Sequence, residues 1–99
     1  MEFVIKDMLI EKGFKPNLAG FDYIAKAIEL YDITKPIVSW LYLQVAETYG
    51  TKPARVERSI RYSIEQSNVK GTNAEIIALL NYQMQKISKE GKNWQADFR

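Results

Sequence analysis

The chain contains no cysteine and no histidine. The first absence excludes disulfides and thiol chemistry. The second removes the commonest general base and metal ligand, so zinc sites and histidine-dependent triads go with it. Neither a metal nor a cofactor is expected. No apolar run approaches the roughly 20 residues that a membrane span requires, and the first amphipathic segment is too interrupted by charge to be a secretory signal. A cytoplasmic protein that does not engage a membrane is expected. Proline is scarce, and each of the three punctuates: Pro16 sits in a loop, Pro36 and Pro53 in the first turns of helices. There is no strand-like alternation, internal repeat or low-complexity tract.

What is present suits a single helical domain. A chain of 99 residues that is 46% hydrophobic buries roughly 60 to 70% of its unfolded surface, enough for one core and not two. Five amphipathic segments follow. Helix 1 spans 2 to 12, with Phe3, Ile5, Met8 and Leu9 at helical spacing and Gly13 as its stop. After the loop "FKPNLAG", helix 2 runs from about 20 to 31 on Tyr23, Ile24, Ala27, Ile28 and Tyr31. Thr34 offers an N-cap for helix 3, which carries Val38, Leu41, Tyr42, Val45 and Tyr49 up to Gly50. Thr51 is expected to cap helix 4, whose buried stripe is Val56, Ile60 and Ile64 and which runs to about Ser67. "TNAE" at 72 to 75 is a capping box opening helix 5, with Ile76, Leu80, Met84 and Ile87 on one face and Gly91 as its end. This predicts an all-α, compact bundle of about five helices over residues 1–91, followed by a C-terminal tail over 92–99.

Charge singles out one of these helices. The net charge of the chain is only +2, yet Lys52, Arg55, Arg58 and Arg61 stand against Glu57 alone, so this stretch carries +3 and the remainder −1. The helix joins its predecessor through almost nothing. In "QVAETYGTKPARVERSI", Ala46 permits close approach, Gly50 the tight turn, and Val56 fills the space between the helices, a helix-turn-helix spacing over about 38–67. With Val56, Ile60 and Ile64 inward, Arg55, Arg58 and Tyr62 fall on the outer face, where guanidinium forks match guanine O6 and N7. Glu57 reads either as a surface ion pair with Arg61 four residues on, or as an acceptor for cytosine N4. Tyr62 reads as a half-buried aromatic, or as a contact to a thymine methyl or a phosphate. Thr51, Lys52, Thr72 and Asn73 lie at helix starts, where backbone N–H groups hold phosphate oxygens; for Thr72 the capping role competes.

The chain resembles the C-terminal DNA-binding effector domain of the stage-zero sporulation response regulator of endospore-forming bacteria. The resemblance is carried by "LIEKGFKPNLAGFDYIAKAI" (9 to 28), "LYLQVAETYGT" (41 to 51), "TNAEIIALL" (72 to 80) and, most specifically, "ARVERSIRYSIE" (54 to 65). It implies that Arg55, Glu57 and Arg58 occupy base-reading positions and gives Arg61 a phosphate role. Tyr62 stands where the resemblance leads one to expect histidine. Between "SIEQSN" and "GTNAE" the family carries roughly twenty further residues, including a helix implicated in contacting the RNA polymerase sigma factor; here "VKG" takes their place. The receiver domain that the family places before this module has no counterpart in these residues, so control by phosphorylation is not implied.

An enzyme is not expected. Glu11, Glu29 and Glu47 are isolated acids on amphipathic helices, with no paired carboxylates, phosphate-cradling loop or nucleophile motif. The alternative is a helical protein-interaction module presenting Trp40, Tyr42 and the segment from Trp94 to Phe98. The favoured reading is a sequence-specific binder of double-stranded DNA, a small bacterial transcriptional regulator that reads the major groove with helix 52–67. One such helix reads few base pairs, which calls for a homodimer or tandem copies on DNA and leaves room for a transcription-machinery partner.

Overall fold

The computed structural model describes residues 2–32, 34 and 38–97, with residues 2, 3, 38 and 88–97 described by their backbone alone. Within these residues the chain is all-α. Its helices are α1 (Glu2–Glu11), α2 (Ala19–Leu30), α3 (Val38–Tyr49), α4 (Pro53–Glu65) and α5 (Asn73–Asp97). One core serves them all, built on Ile5, Leu9, Ile24, Ile28, Val45, Val56, Ile60, Ile77 and Leu80, each essentially excluded from solvent. Burial of large aliphatic side chains contributes roughly 1.5 to 3 kcal/mol each, and it decides which helical faces turn inward.

α2 packs against every other helix, and α4 is seated chiefly on α2 and α3. Its stripe of Val56, Ile60 and Ile64 is buried as the spacing predicts. The turn before it is short because Gly50 adopts φ +66°, which allows the Thr51 N–H to reach back to the Ala46 carbonyl at 2.9 Å and close the end of α3. Ala46, 2% exposed, leaves room for Val56. The helix-turn-helix pairing of α3 and α4 is therefore formed by the residues that signalled it.

Several local expectations are corrected. Thr51 does not cap α4, because the helix starts at Pro53 and the N-cap position falls to Lys52, in extended geometry and without a side-chain cap; Thr51 lies one residue earlier, where its N–H closes α3. Thr34 donates its N–H and its hydroxyl to Asp32 Oδ1, at 2.9 and 2.7 Å; residues 35–37, on which its capping of α3 depends, lie outside the described residues. Pro36 lies outside the described residues, as does the side chain of Phe3. Gly20 is not loop punctuation but part of the first turn of α2, buried against α4.

In α5 the expected face holds as far as Met84. Ile87, four-ninths exposed at 45%, lies beyond the body that would cover it. Nor does Gly91 end the helix, which continues to Asp97; a glycine inside a helix costs only about 1 kcal/mol relative to alanine. At 1.5 Å per residue α5 is roughly 37 Å long, consistent with a molecule measuring 48 Å in its long dimension against 28 and 23 Å across. The capping box forms as predicted: Thr72 N–H donates to Glu75 Oε1 at 2.9 Å, and Glu75 N–H to Thr72 Oγ1 at 3.2 Å.

Candidate nucleic-acid interface

Burying Val56, Ile60 and Ile64 forces the opposite side of α4 outward, and at 100° per residue Arg58 falls at the middle of that side. Arg55 and Tyr62 flank it toward α2. Together with Ser59 and with Leu18, Ala19 and Gly20 they line a shallow concavity between α4 and the first turn of α2. Arg55 and Arg58 are exposed, Tyr62 is 51% exposed, and among the described residues no carboxylate pairs with either arginine. Two guanidinium forks thus stand on one face with their donors free for an external acceptor, the geometry that bidentate recognition requires.

The other flank of α4 is organised differently. Arg61 donates to Glu57 Oε1 at 2.7 Å, one turn along the helix. This is the ion-pair arrangement that competed with base contact in the sequence. At this exposure it stabilises the helix by only a few tenths of a kcal/mol, so it opens at little cost. Beside it, Asn73 turns its side chain inward. It is 9% exposed, and both hydrogens of its amide are engaged, with the Tyr42 hydroxyl at 2.9 Å and the Glu57 carbonyl at 3.0 Å. The side chain of Asn73 is thus committed inside the fold, while its place at the start of α5, where the sequence puts a backbone contact to phosphate, borders the cleft lined by Glu57, Arg61 and Thr72.

Lys52 is exposed at the start of α4, with Thr51 half-buried beside it. Thr72 is exposed and holds Glu75, whose carboxyl is kept below its ordinary range by hydrogen bonds from the Thr72 backbone and side chain. Burial raises the Tyr42 phenol above its ordinary value, outweighing the hydrogen bond from Asn73. It stays protonated and neutral across the physiological range.

Two buried amides of α5 make ties between helices that a reading based on charge does not show. Asn73 joins α5 to α3 and α4, and Asn81 donates to the Ile28 carbonyl at 2.8 Å while accepting from Gln85, so it satisfies the open end of α2. Both lie on the buried stripe of α5, at helical spacing from Ile77, Leu80 and Met84. An amide on an apolar stripe is the signal that would have found them, because a buried amide requires partners. Trp40 and Tyr42, the aromatic anchors of the alternative reading, are partly buried and pack on the core; the side chains of the Trp94 to Phe98 segment lie outside the described residues.

Among the described residues no group of three His, Cys, Asp or Glu side chains could hold a metal ion, and no helix is long and apolar enough to cross a membrane. A family model described as the sporulation initiation factor Spo0A C terminal matches residues 5–96.

Proposed function

The chain belongs to the Spo0A C-terminal family, a family of DNA-binding domains rather than of enzymes, and from that premise we propose that it is a site-specific binder of double-stranded DNA acting as a small transcriptional regulator. The observation that carries this reading is the pair Arg55 and Arg58, exposed on α4 without a carboxylate partner among the described residues, above a stripe buried to 0–4% exposure. A helix anchored so firmly presents its outer side chains in a fixed geometry, which base recognition needs. In this reading α4 enters the major groove and Arg55 and Arg58 read guanines. Tyr62 contacts a neighbouring base, and Glu57 leaves Arg61 to accept from cytosine while Arg61 moves to a phosphate. Thr51 and Lys52 at the start of α4, and Thr72 with the backbone of Asn73 at the start of α5, hold further phosphates.

The mode of regulation follows from the link between α4 and α5. Residues 66–72 contain no helix, whereas the resemblance puts a polymerase-contacting helix in that interval. Site occupancy alone excludes a competitor from overlapping DNA, while recruitment needs a second favourable surface. Repression, or organisation of DNA for a partner, fits this chain better than direct activation. Useful specificity calls for two copies on one site.

Selection of bound duplexes from a random library, followed by a salt titration on the selected site, tests the reading. Recovery of a consensus, with affinity falling steeply as salt rises, is the expected result. Failure to enrich any sequence, with weak binding insensitive to salt, would instead favour the protein-interaction module.

A further inference from the structure

Glu57 is held at both ends. Its carboxylate accepts from Arg61 at 2.7 Å, and its backbone carbonyl accepts from the Asn73 amide at 3.0 Å, in addition to the bond that helical geometry gives that carbonyl. The second hydrogen of the same amide goes to the Tyr42 hydroxyl at 2.9 Å. A single buried side chain at the start of α5 therefore ties the middle of α3 to the second turn of α4, the turn that carries Glu57 and Arg58. Each of these bonds has a fixed direction, so together they set the rotation and height of that turn more sharply than the apolar stripe, which tolerates small slides.

We propose that Asn73, acting with Tyr42, is a positioning residue for sequence recognition: it fixes the turn of α4 that presents Glu57 and Arg58 to the bases, without itself touching one. The proposal rests on the reading of α4 as a base-reading helix. Base contacts are directional and fail with displacements of a fraction of an ångström, whereas phosphate attraction is long-ranged and forgiving. Loosening this tie therefore costs specificity before it costs affinity for DNA in general.

Asn81 supplies the control. It is the same residue type on the same helix, buried like Asn73, at 5% exposed against 9%, and its amide donates to the Ile28 carbonyl of α2, away from α4. The experiment compares wild type, Asn73→Ala, Tyr42→Phe and Asn81→Ala for affinity to a selected duplex and to a scrambled one at matched salt, over a series of salt concentrations. Measurements are made where circular dichroism shows each protein folded. The expected result is a drop of about fivefold or more in the ratio of the two affinities for Asn73→Ala, the size of one lost base contact. A smaller drop in the same direction is expected for Tyr42→Phe, which keeps the ring and removes the acceptor. The slope of affinity against salt should not change, because no phosphate contact is lost.

For Asn81→Ala a lower melting temperature with an unchanged ratio is expected. If Asn73→Ala and Asn81→Ala lose stability alike and neither changes the ratio, Asn73 is merely structural and the proposal fails. Should Asn73→Ala not fold, Tyr42→Phe decides alone: an unchanged ratio overturns the proposal. A wild-type protein that does not distinguish the two duplexes would overturn the base-reading role of α4, and this inference with it.

Discussion

Gly20 of α2 lies directly against Ser63 of α4: a methyl group on Gly20 would overlap the Ser63 hydroxyl and the Ser59 carbonyl, and would sit 2.7 Å from the Ser59 carbonyl carbon. The two helices cross here at backbone contact, and both residues are small because nothing larger fits. Gly20→Ala gains about 1 kcal/mol in helix propensity, but it must push α4 outward, at an overpacking cost of about 1–3 kcal/mol or more. A net loss of stability is expected in denaturant titration, together with weaker DNA binding. Ser63 is buried, and its hydroxyl has no hydrogen-bond partner among the described residues. Ser63→Ala should therefore leave stability unchanged or raise it by about 1 kcal/mol. A clear loss would show that the hydroxyl is hydrogen-bonded after all.

Arg58 and Arg61 should behave differently on DNA. Arg58→Ala is expected to cost about 1–3 kcal/mol on the preferred site and to flatten preference at one guanine. Arg61→Ala should weaken binding to all sequences by a similar factor and lower the salt slope by about one. Parallel titrations on specific and scrambled duplexes separate the two, and an unchanged ratio for Arg58→Ala removes its base-reading role.

Ala46 is 2% exposed where α3 meets α4, and its carbonyl receives the Thr51 N–H. Ala46→Leu should overpack this junction by about 1–3 kcal/mol and displace α4. A lower melting temperature accompanied by weaker DNA binding is expected; if neither moves, the junction is looser than described.

Glu75 gives a pH dependence of known sign. Hydrogen bonds from Thr72 lower its folded-state pKa below its ordinary 4.5, so on acidification the unfolded chain takes up this proton before the folded one does. The stabilisation is complete above the ordinary value and is lost as pH falls through the folded one. Glu75→Gln removes this titration. Wild type should melt higher than the variant near neutrality, and the gap should close in acid. A gap independent of pH would mean that the carboxylate charge plays no part.

Regulation by occupancy predicts an asymmetry between promoters. Purified protein should reduce transcription when its site lies between the polymerase-binding elements, and should not raise it from a site upstream. Robust stimulation from the upstream position, with no other factor added, would locate an activating surface elsewhere on the chain.

Much of this architecture is legible in the sequence because apolar spacing is a strong signal. The stripe of α4, the Ala46–Gly50–Val56 junction and the Thr72–Glu75 box all form as their residues indicate. The errors share a cause: each depends on what a residue meets in three dimensions. Gly20 looks like a loop glycine until α4 is placed across it. Ile87 continues an apolar stripe past the end of the body that covers it, and Thr51 falls one residue before the N-cap position, which the turn leaves to Lys52. At the interface, the exposure of Arg55, Arg58 and Tyr62 follows from the period of the buried stripe. The inward turn of Asn73 does not, because the sequence gives no direction for an amide at a helix start.

The link between α4 and α5 is pinned at two points. The Asn68 N–H donates to the Lys12 carbonyl at the end of α1, at 3.0 Å, and Thr72 is held by its capping box. Val69 packs on the core, which leaves Lys70 and Gly71 as the exposed stretch between the pins. Chain inserted there would emerge as an independent outgrowth, since both anchors lie outside it and longer surface loops add little entropy cost. The fold thus has a seam at which a whole accessory element can be spliced in or cut out while α4 keeps its seat, so that a surface added there would change independently of the face that α4 presents.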